Sequence, residues 1–252
     1  MIDKVTIGDV LFLDIETVSN KHHFEELDPA LQDLWRLKSR QILRQYDEEL
    51  TTEEVSALYP EKAGIYAEFG KIVCISVGSV RRDKDSKELH VRLKSFASDD
   101  EAELLRDFSE LIQQHYNDPT RYSICGHNIK EFDIPYICRR MVINSLPLPR
   151  PLNIAGKKPW ETKHLLDTLE LWKFGDYKHY TSLKLLAAIL GFPSPKDDID
   201  GSEVGRVYWE EQALSRISRY CEKDVLATVQ LFLRYQRKPL LKEEQVTHVE
   251  MA

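Results

Sequence analysis

Val10-Leu11-Phe12-Leu13-Asp14-Ile15-Glu16-Thr17 is the stretch from which the fold of this chain is read. Four apolar residues run directly into two acids separated by one position. A short continuous apolar run is the pattern of a strand buried on both faces. Side chains alternate along a strand, so Asp14 and Glu16 share a face. Burying two neighbouring carboxylates is costly unless something positive joins them, and the stretch holds no Lys or Arg. A metal ion is one such partner. The other reading is two solvated acids just past a strand end, and the stretch alone leaves both open.

The 252 residues suit one generous domain or two small ones, and they show no repeat and no domain boundary, so we expect a single domain over 1–252. Hydrophobic content of 42% and charged content of 31% describe a soluble globular protein. No apolar run is long enough to span a bilayer, and the first residues lack the layout of a signal peptide. The four cysteines, Cys74, Cys125, Cys138 and Cys221, are scattered, without zinc spacing or a disulfide framework. Cys74, Cys125 and Cys221 stand in apolar surroundings, so reduced thiols and a cytoplasmic location are expected. A net charge of -7 argues against a protein that coats long nucleic acid through a basic field. It leaves room for an enzyme that grips a few nucleotides.

Residues 19–69 interrupt the pattern after the first strand. Asp28-Pro29 is a helix start, with an N-cap acid and Pro at the first helical position. Leu31, Leu34, Trp35 and Ile42 follow at helical spacing, and Thr51 with Glu54 forms a capping box for a second helix. A helical insertion is expected here. Residues 71–80 (KIVCISVGSV) and 88–96 (ELHVRLKSF) read as a strand hairpin. Ser98 with Glu101 reads as another capping box, opening a helix striped by Leu104, Leu105, Phe108, Leu111 and Ile112. Residues 121–126 (RYSICG) are a short strand, and a helix follows over 133–142. Four prolines make 146–159 a loop. Residues 164–171 fit a short strand or a helix equally. Leu183, Leu186, Ala187 and Leu190 stripe a helix stopped by Gly191 and Pro193. Residues 209–236 close the fold as one long helical region. Three strands, a helix, a fourth strand and further helices make an α/β domain with a mixed sheet.

Two more acids stand out. Asp133 ends His127-Asn128-Ile129-Lys130-Glu131-Phe132-Asp133, between a strand and a helix, where a carboxylate also serves as an N-cap. Asp224 follows Tyr220 by four, which puts phenol and carboxylate on one helix face among Ile217, Val225 and Phe232. The order Asp-x-Glu, Asn-x-x-x-Phe-Asp, Tyr-x-x-x-Asp resembles the three motifs of the DEDD exonucleases. Residues 127–137 are similar to the second motif of the proofreading exonuclease domains in family B DNA polymerases, and 182–191 resembles the helix before their third motif. Glu131 departs from the pattern, standing where those domains commonly have glycine, and the 19–69 insertion is long. With no polymerase portion after Ala252, a stand-alone relative is expected.

The resemblance implies an RNase H-like α/β fold, a mixed sheet flanked by helices with the insertion after the first strand. It also implies a 3′-5′ exonuclease of the tyrosine (DEDDy) subgroup, since Arg219 occupies the position where other families carry histidine. Asp14, Glu16, Asp133 and Asp224 would bind two divalent ions, Mg²⁺ or Mn²⁺, which suit hard carboxylate oxygens, and Tyr220 would position the attacking water. Thr17 and Asn128 are expected to hold the terminal nucleotide. Phe132 reads either as a base-stacking residue or as a helix anchor, Asp167 as an outer support or a loop acid, and Lys130 as a phosphate contact or, more simply, a solvated side chain. The expected substrate is the 3′ end of single-stranded DNA, with 5′-mononucleotides released and a place in DNA repair. RNA ends are the alternative substrate, and a non-catalytic binding module on the same fold is the alternative of another class. Asp197, Asp198, Asp200, Gly201 and Glu203 hint at a calcium loop. With Gly201 sixth, however, Lys196 and Val207 fill its first and twelfth positions, which excludes it.

Overall fold

The computed structural model describes residues 2–47, 49–176, 180–194 and 198–249. In chain order the elements are β1 (Val10–Ser19), α1 (Pro29–Leu43), α2 (Thr52–Lys62), β2 (Gly70–Arg82), β3 (Leu89–Ala97), α3 (Glu101–His115), β4 (Ser123–Gly126), α4 (Asp133–Ile143), β5 (Leu165–Asp167), α5 (Thr168–Lys173), α6 (Leu183–Leu190), α7 (Val204–Trp209), α8 (Leu214–Tyr235) and β6 (Val246–Val249). Six strands form one sheet in the order β5-β4-β1-β2-β3-β6. β1 and β2 pair antiparallel, as do β2 and β3, whereas β4 lies parallel to β1, β5 to β4 and β6 to β3. The mixed α/β sheet flanked by helices is as expected. Two strands were not: β5 and α5 divide the ambiguous 164–171 segment between them, and β6 carries too little alternation to read. Among the described residues no helix is long and apolar enough to cross a membrane.

β1 is central because both its faces are buried. Leu11, Leu13 and Ile15 join one core layer with α3 and α4, and Val10 and Phe12 join another beneath α8. The strand runs on through the acids to Ser19, with a register shift against β2 between Glu16 and Thr17. β4 pairs only with Val10 to Phe12, so beyond that point one edge of β1 is open. α8 crosses β1 antiparallel. Phe232 meets Phe12 edge-on at 5.3 Å, Cys221 meets Asp14, and Ile217 and Tyr220 cluster with Val18. The expected long helical region over 209–236 is α8, which begins at Leu214 after a turn in which Gln212 adopts φ 51°; Trp209 is the last residue of the preceding α7.

The insertion builds a core of its own around Trp35, Tyr59 and Phe69. Asp28 caps α1 by accepting from the Ala30 amide, and Thr51 and Glu54 close their capping box on α2. Leu34, expected on the apolar stripe, is 52% exposed; Ser39 takes the buried position four residues after Trp35 and donates its hydroxyl to the Trp35 carbonyl. The Ser98–Glu101 capping box does not form. Asp100 is the cap of α3, accepting from the Glu103 amide, and Glu101 turns inward to a buried pair with Arg140 (2.5 Å) while also accepting from the Ile72 amide (2.7 Å). That pair ties α3, α4 and the start of β2 together. Burial and a full set of donors outweigh a surface cap.

Gly78 of β2 faces Phe12 in register, and a Cβ there would lie 2.8 Å from Cγ1 of Val225 on α8. Gly78→Ala should therefore lift α8 and destabilise the protein by about 1–3 kcal/mol, the usual cost of overpacking. Gly201→Ala, built into open space, should leave the denaturation midpoint unchanged. Equal midpoints for the two variants would refute this account of the helix height.

Candidate active site

Three elements bring the acids together. β1 presents Asp14 and Glu16 to the α8 face, as alternation requires, and Glu16 is buried. α4 supplies Asp133 from its first residue. Asp133 is 4% exposed and is not the cap of α4: Phe132 holds that position with no side-chain cap bond. α8 supplies Tyr220 and, one turn later, Asp224, to which the phenol hydrogen-bonds. The Asp14 carboxyl is held well above the usual carboxylate range by its burial, then by the charges of Asp224, Asp133 and Glu16. Asp133 is pushed up to about 7, first by burial and then by the Asp167 and Asp224 charges, against hydrogen bonds from its own amide and that of Ile15. The four acids of the three motifs thus lie close together, Glu16 and Asp133 buried and Asp14 and Asp224 half-buried, and the neighbouring charges that act on Asp14 are those of the other three.

A thiol joins them. Cys221 donates to Oδ2 and to the carbonyl oxygen of Asp14, each at 3.4 Å. The potential ligand atoms of Asp14, Glu16 and Cys221 lie within 4.8 Å of one another. Sequence reading assigned Cys221 to apolar surroundings, and its position directly after Tyr220 on the inner face was the signal that could have found it. Burial, Cys74 and the Asp14 and Glu16 charges raise its pKa, so it remains a neutral thiol. Tyr220 is raised above 10 by burial and the same acids, so its phenol keeps its proton. Arg219, the residue before it on α8, is exposed.

The loop before α4 is fixed from below by Asp167. This buried residue ends β5 and caps α5, accepting from the Leu169 and Glu170 amides. It also accepts from the amides of Asn128 (3.0 Å) and Lys130 (3.1 Å). Asp167 is therefore an outer support, the first of its two sequence readings. Asn128 adopts φ 66°, a left-handed conformation that Asn tolerates better than most residues. His127 bridges Thr168 Oγ1 (2.9 Å) and the Thr181 carbonyl (3.0 Å), and burial lowers its pKa. Lys130 is paired with Glu170 at 2.6 Å rather than free in solvent. Thr17 donates its hydroxyl to the Gly64 carbonyl (2.8 Å), which Tyr136 also meets (2.9 Å). Phe132 is half-buried against Tyr136, their centroids 5.4 Å apart. At the rim, Tyr180 feels the charges of Asp133, Asp167, Asp224 and Glu131; no sequence motif marks it. In the rejected calcium loop, Asp198 pairs with Arg216 (2.7 Å), while Lys196 and Asp197 lie outside the described residues.

The chain is similar over 90% of its length to the family B DNA polymerase of the hyperthermophilic archaeon Pyrobaculum calidifontis, at 18% identity and a TM-score of 0.50. That likeness is one of fold, and the chain corresponds to only 24% of the polymerase's length. No curated protein sequence matches the chain. A family model matches residues 65–249, which include Asn128, Phe132, Asp133, Tyr220 and Asp224 but not Asp14 and Glu16. The chain belongs to this family, described as a predicted 3′-5′ exonuclease related to the exonuclease domain of PolB.

Proposed function

We propose that the protein is a metal-dependent 3′-5′ exonuclease that trims single-stranded DNA ends and releases 5′-mononucleotides. The observation that carries this reading is the convergence of Asp14, Glu16, Asp133 and Asp224 from β1, α4 and α8 on one site, where their mutual charges raise the Asp14 pKa. Carboxylate oxygens beside a neutral thiol are a donor set suited to hard cations, so these four acids would hold two ions, Mg²⁺ or Mn²⁺. When bound, the ions supply charge stabilisation to the attacking and leaving oxygens of phosphodiester hydrolysis.

The chain's own groups do the rest. Tyr220 keeps its proton and is anchored on Asp224, so its phenol orients the attacking water by hydrogen bonding. Cys221 holds one oxygen of Asp14, leaving the other to face the site. Asp167 fixes the backbone of Asn128 and Lys130, which sets where Asp133 begins its helix. Thr17, Asn128 and Phe132 line the approach and would hold the terminal nucleotide. We read residues 1–252 as one exonuclease domain, with the insertion as its elaboration.

Purified protein with Mg²⁺ or Mn²⁺ should shorten a labelled single-stranded DNA from its 3′ end. Asp14→Ala and Asp224→Ala should each lower the rate by at least about a hundredfold, comparable to losing a major transition-state contact, without lowering Tm. Tyr220→Phe should also cost on the order of a hundredfold, because the water is misplaced. An intact DNA strand beside a digested RNA of the same sequence would reassign the substrate. Digestion of neither, with no heat of metal binding, would end the enzymatic reading.

A second expectation concerns pH in metal-free protein. Asp14 and Asp133 have folded pKa values above their unfolded ones, so the folded state binds the extra protons. The stability they contribute is present at low pH and is lost as pH rises from about 4 through about 7. In EDTA, Asp14→Asn should therefore raise Tm at pH 8 by about 3 °C or more, roughly the effect of 1 kcal/mol in a chain of this size. The gain should shrink toward pH 5. Adding Mg²⁺ should raise the wild-type Tm at pH 8 more than that of the variant. An unchanged Tm difference across this range would refute the charge assignment.

A further inference from the structure

Past its last site acid, β1 ends at Ser19, and the chain bends through Asn20 and Lys21 into two histidines. Their rings do not diverge as neighbours on an extended chain do. His23 stacks on His22 with centroids 3.9 Å apart, and His22 stacks on Trp209 at 5.5 Å with planes only 8° apart. The ladder is fixed at its base. Trp209 Nε1 donates to Ser19 Oγ (3.1 Å), Ser19 Oγ to the Lys21 carbonyl (2.7 Å), and the Lys21 amide to the Tyr59 hydroxyl of the insertion (3.2 Å). Lys71 Nζ lies 5.1 Å from the Trp209 ring centroid. Trp209 also packs on the cluster that holds Tyr220 and Cys221. In a chain of net charge -7, this is a local patch of stacked rings and cations, and its last ring, His23, is exposed.

We propose that His23, His22 and Trp209 form a stacking platform for a base of the single strand, upstream of the bond to be cut. The proposal rests on the exonuclease reading of the neighbouring acids and adds a strand-binding subsite to it. Every base has a π-face, so a fixed ladder ending in an exposed ring takes any sequence, as a nuclease working along a strand requires. Lys21, exposed at the bend, complements the backbone charge, while Lys71 is held between the Trp209 ring and the Tyr208 hydroxyl. Ser19 stands three positions beyond Glu16, about 10 Å along the strand, which is two to three nucleotide steps of stacked single strand. The stacked rings carry the base further out than Ser19, so it belongs to a nucleotide at least two or three steps from the cleavage point, and the 19–69 insertion supplies the hydroxyl that fixes the bend.

The test is a length series of oligothymidylates with the full chain in Mg²⁺, paired with fluorescence anisotropy of a labelled oligothymidylate in EDTA. His22→Ala/His23→Ala should raise KM and Kd for long strands roughly fivefold to a hundredfold, the range of one lost base stack. Its kcat should be unchanged, as should its turnover of a dinucleotide too short to reach the platform. His22→Phe/His23→Phe keeps the rings and removes the titratable nitrogens, and should restore affinity to within about twofold of wild type. Equal or absent binding in wild type and the alanine variant, or failure of the phenylalanine variant to rescue, overturns the platform. Activity without the affinity pattern would sink the platform and leave the exonuclease standing, and the affinity pattern without hydrolysis would do the reverse.

Discussion

The packing of α8 against β1 is the constraint on which the rest depends. The helix is anchored at two apolar stretches, one around Phe12 and Phe232 and one around Val18, Ile217 and Tyr220. Between them, where a third apolar layer would normally sit, Asp14 and Glu16 face Cys221 and Asp224. An edge-on aromatic pair contributes about 0.5–1.5 kcal/mol beyond its buried area. Such contacts on both sides keep the helix down over acids that repel one another. Gly78 sets the height, because any side chain there would meet Val225. The acids are thus held close by apolar packing, and that packing buries the Asp14 carboxyl enough to raise its pKa.

Buried carboxylates elsewhere are handled differently. Glu101 is joined by the Arg140 guanidinium, the Ile72 amide and the Asn144 side chain, and Asp167 by four backbone amides. In both cases every nearby donor is spent on a structural task, welding α3 to α4 in the first and the loop over 128–130 to β5 in the second. Asp14 has only weak thiol and local contacts against three neighbouring charges. That contrast within one molecule sets Asp14 apart from the acids that build the fold.

The central strand, the hairpin, the helix starts at Asp28 and Thr51 and the order of the acids were legible because each has a short-range signature. The misses share a cause. Ser98 with Glu101 satisfies the local rule for a capping box, but Arg140, thirty-nine positions later, offers Glu101 a better partner. Leu34 fits a helical stripe whose angular width depends on what the insertion packs against. β6 has four residues, two of them exposed, and exists because β3 offers it an edge. Cys221 was visible as a core thiol, but the carboxylate opposite it comes from 207 positions away. Local chemistry marked the site residues, and long-range geometry decided what accompanies them.

The family match begins at residue 65, after the first acid pair and most of the insertion. The part of the chain it omits is nevertheless built into the part it covers. Tyr136 of α4 and Thr17 of β1 meet on the carbonyl of Gly64, and Trp209 of α7 bonds to Ser19 at the end of β1. Thr17 therefore spends its hydroxyl proton on the insertion, leaving only its oxygen lone pairs and its own backbone for any contact with a nucleotide. The insertion is consequently tied to β1 and α4 as well as to its own core. It fixes the far end of the strand whose middle carries Asp14 and Glu16, so the insertion and the two acids share one rigid element.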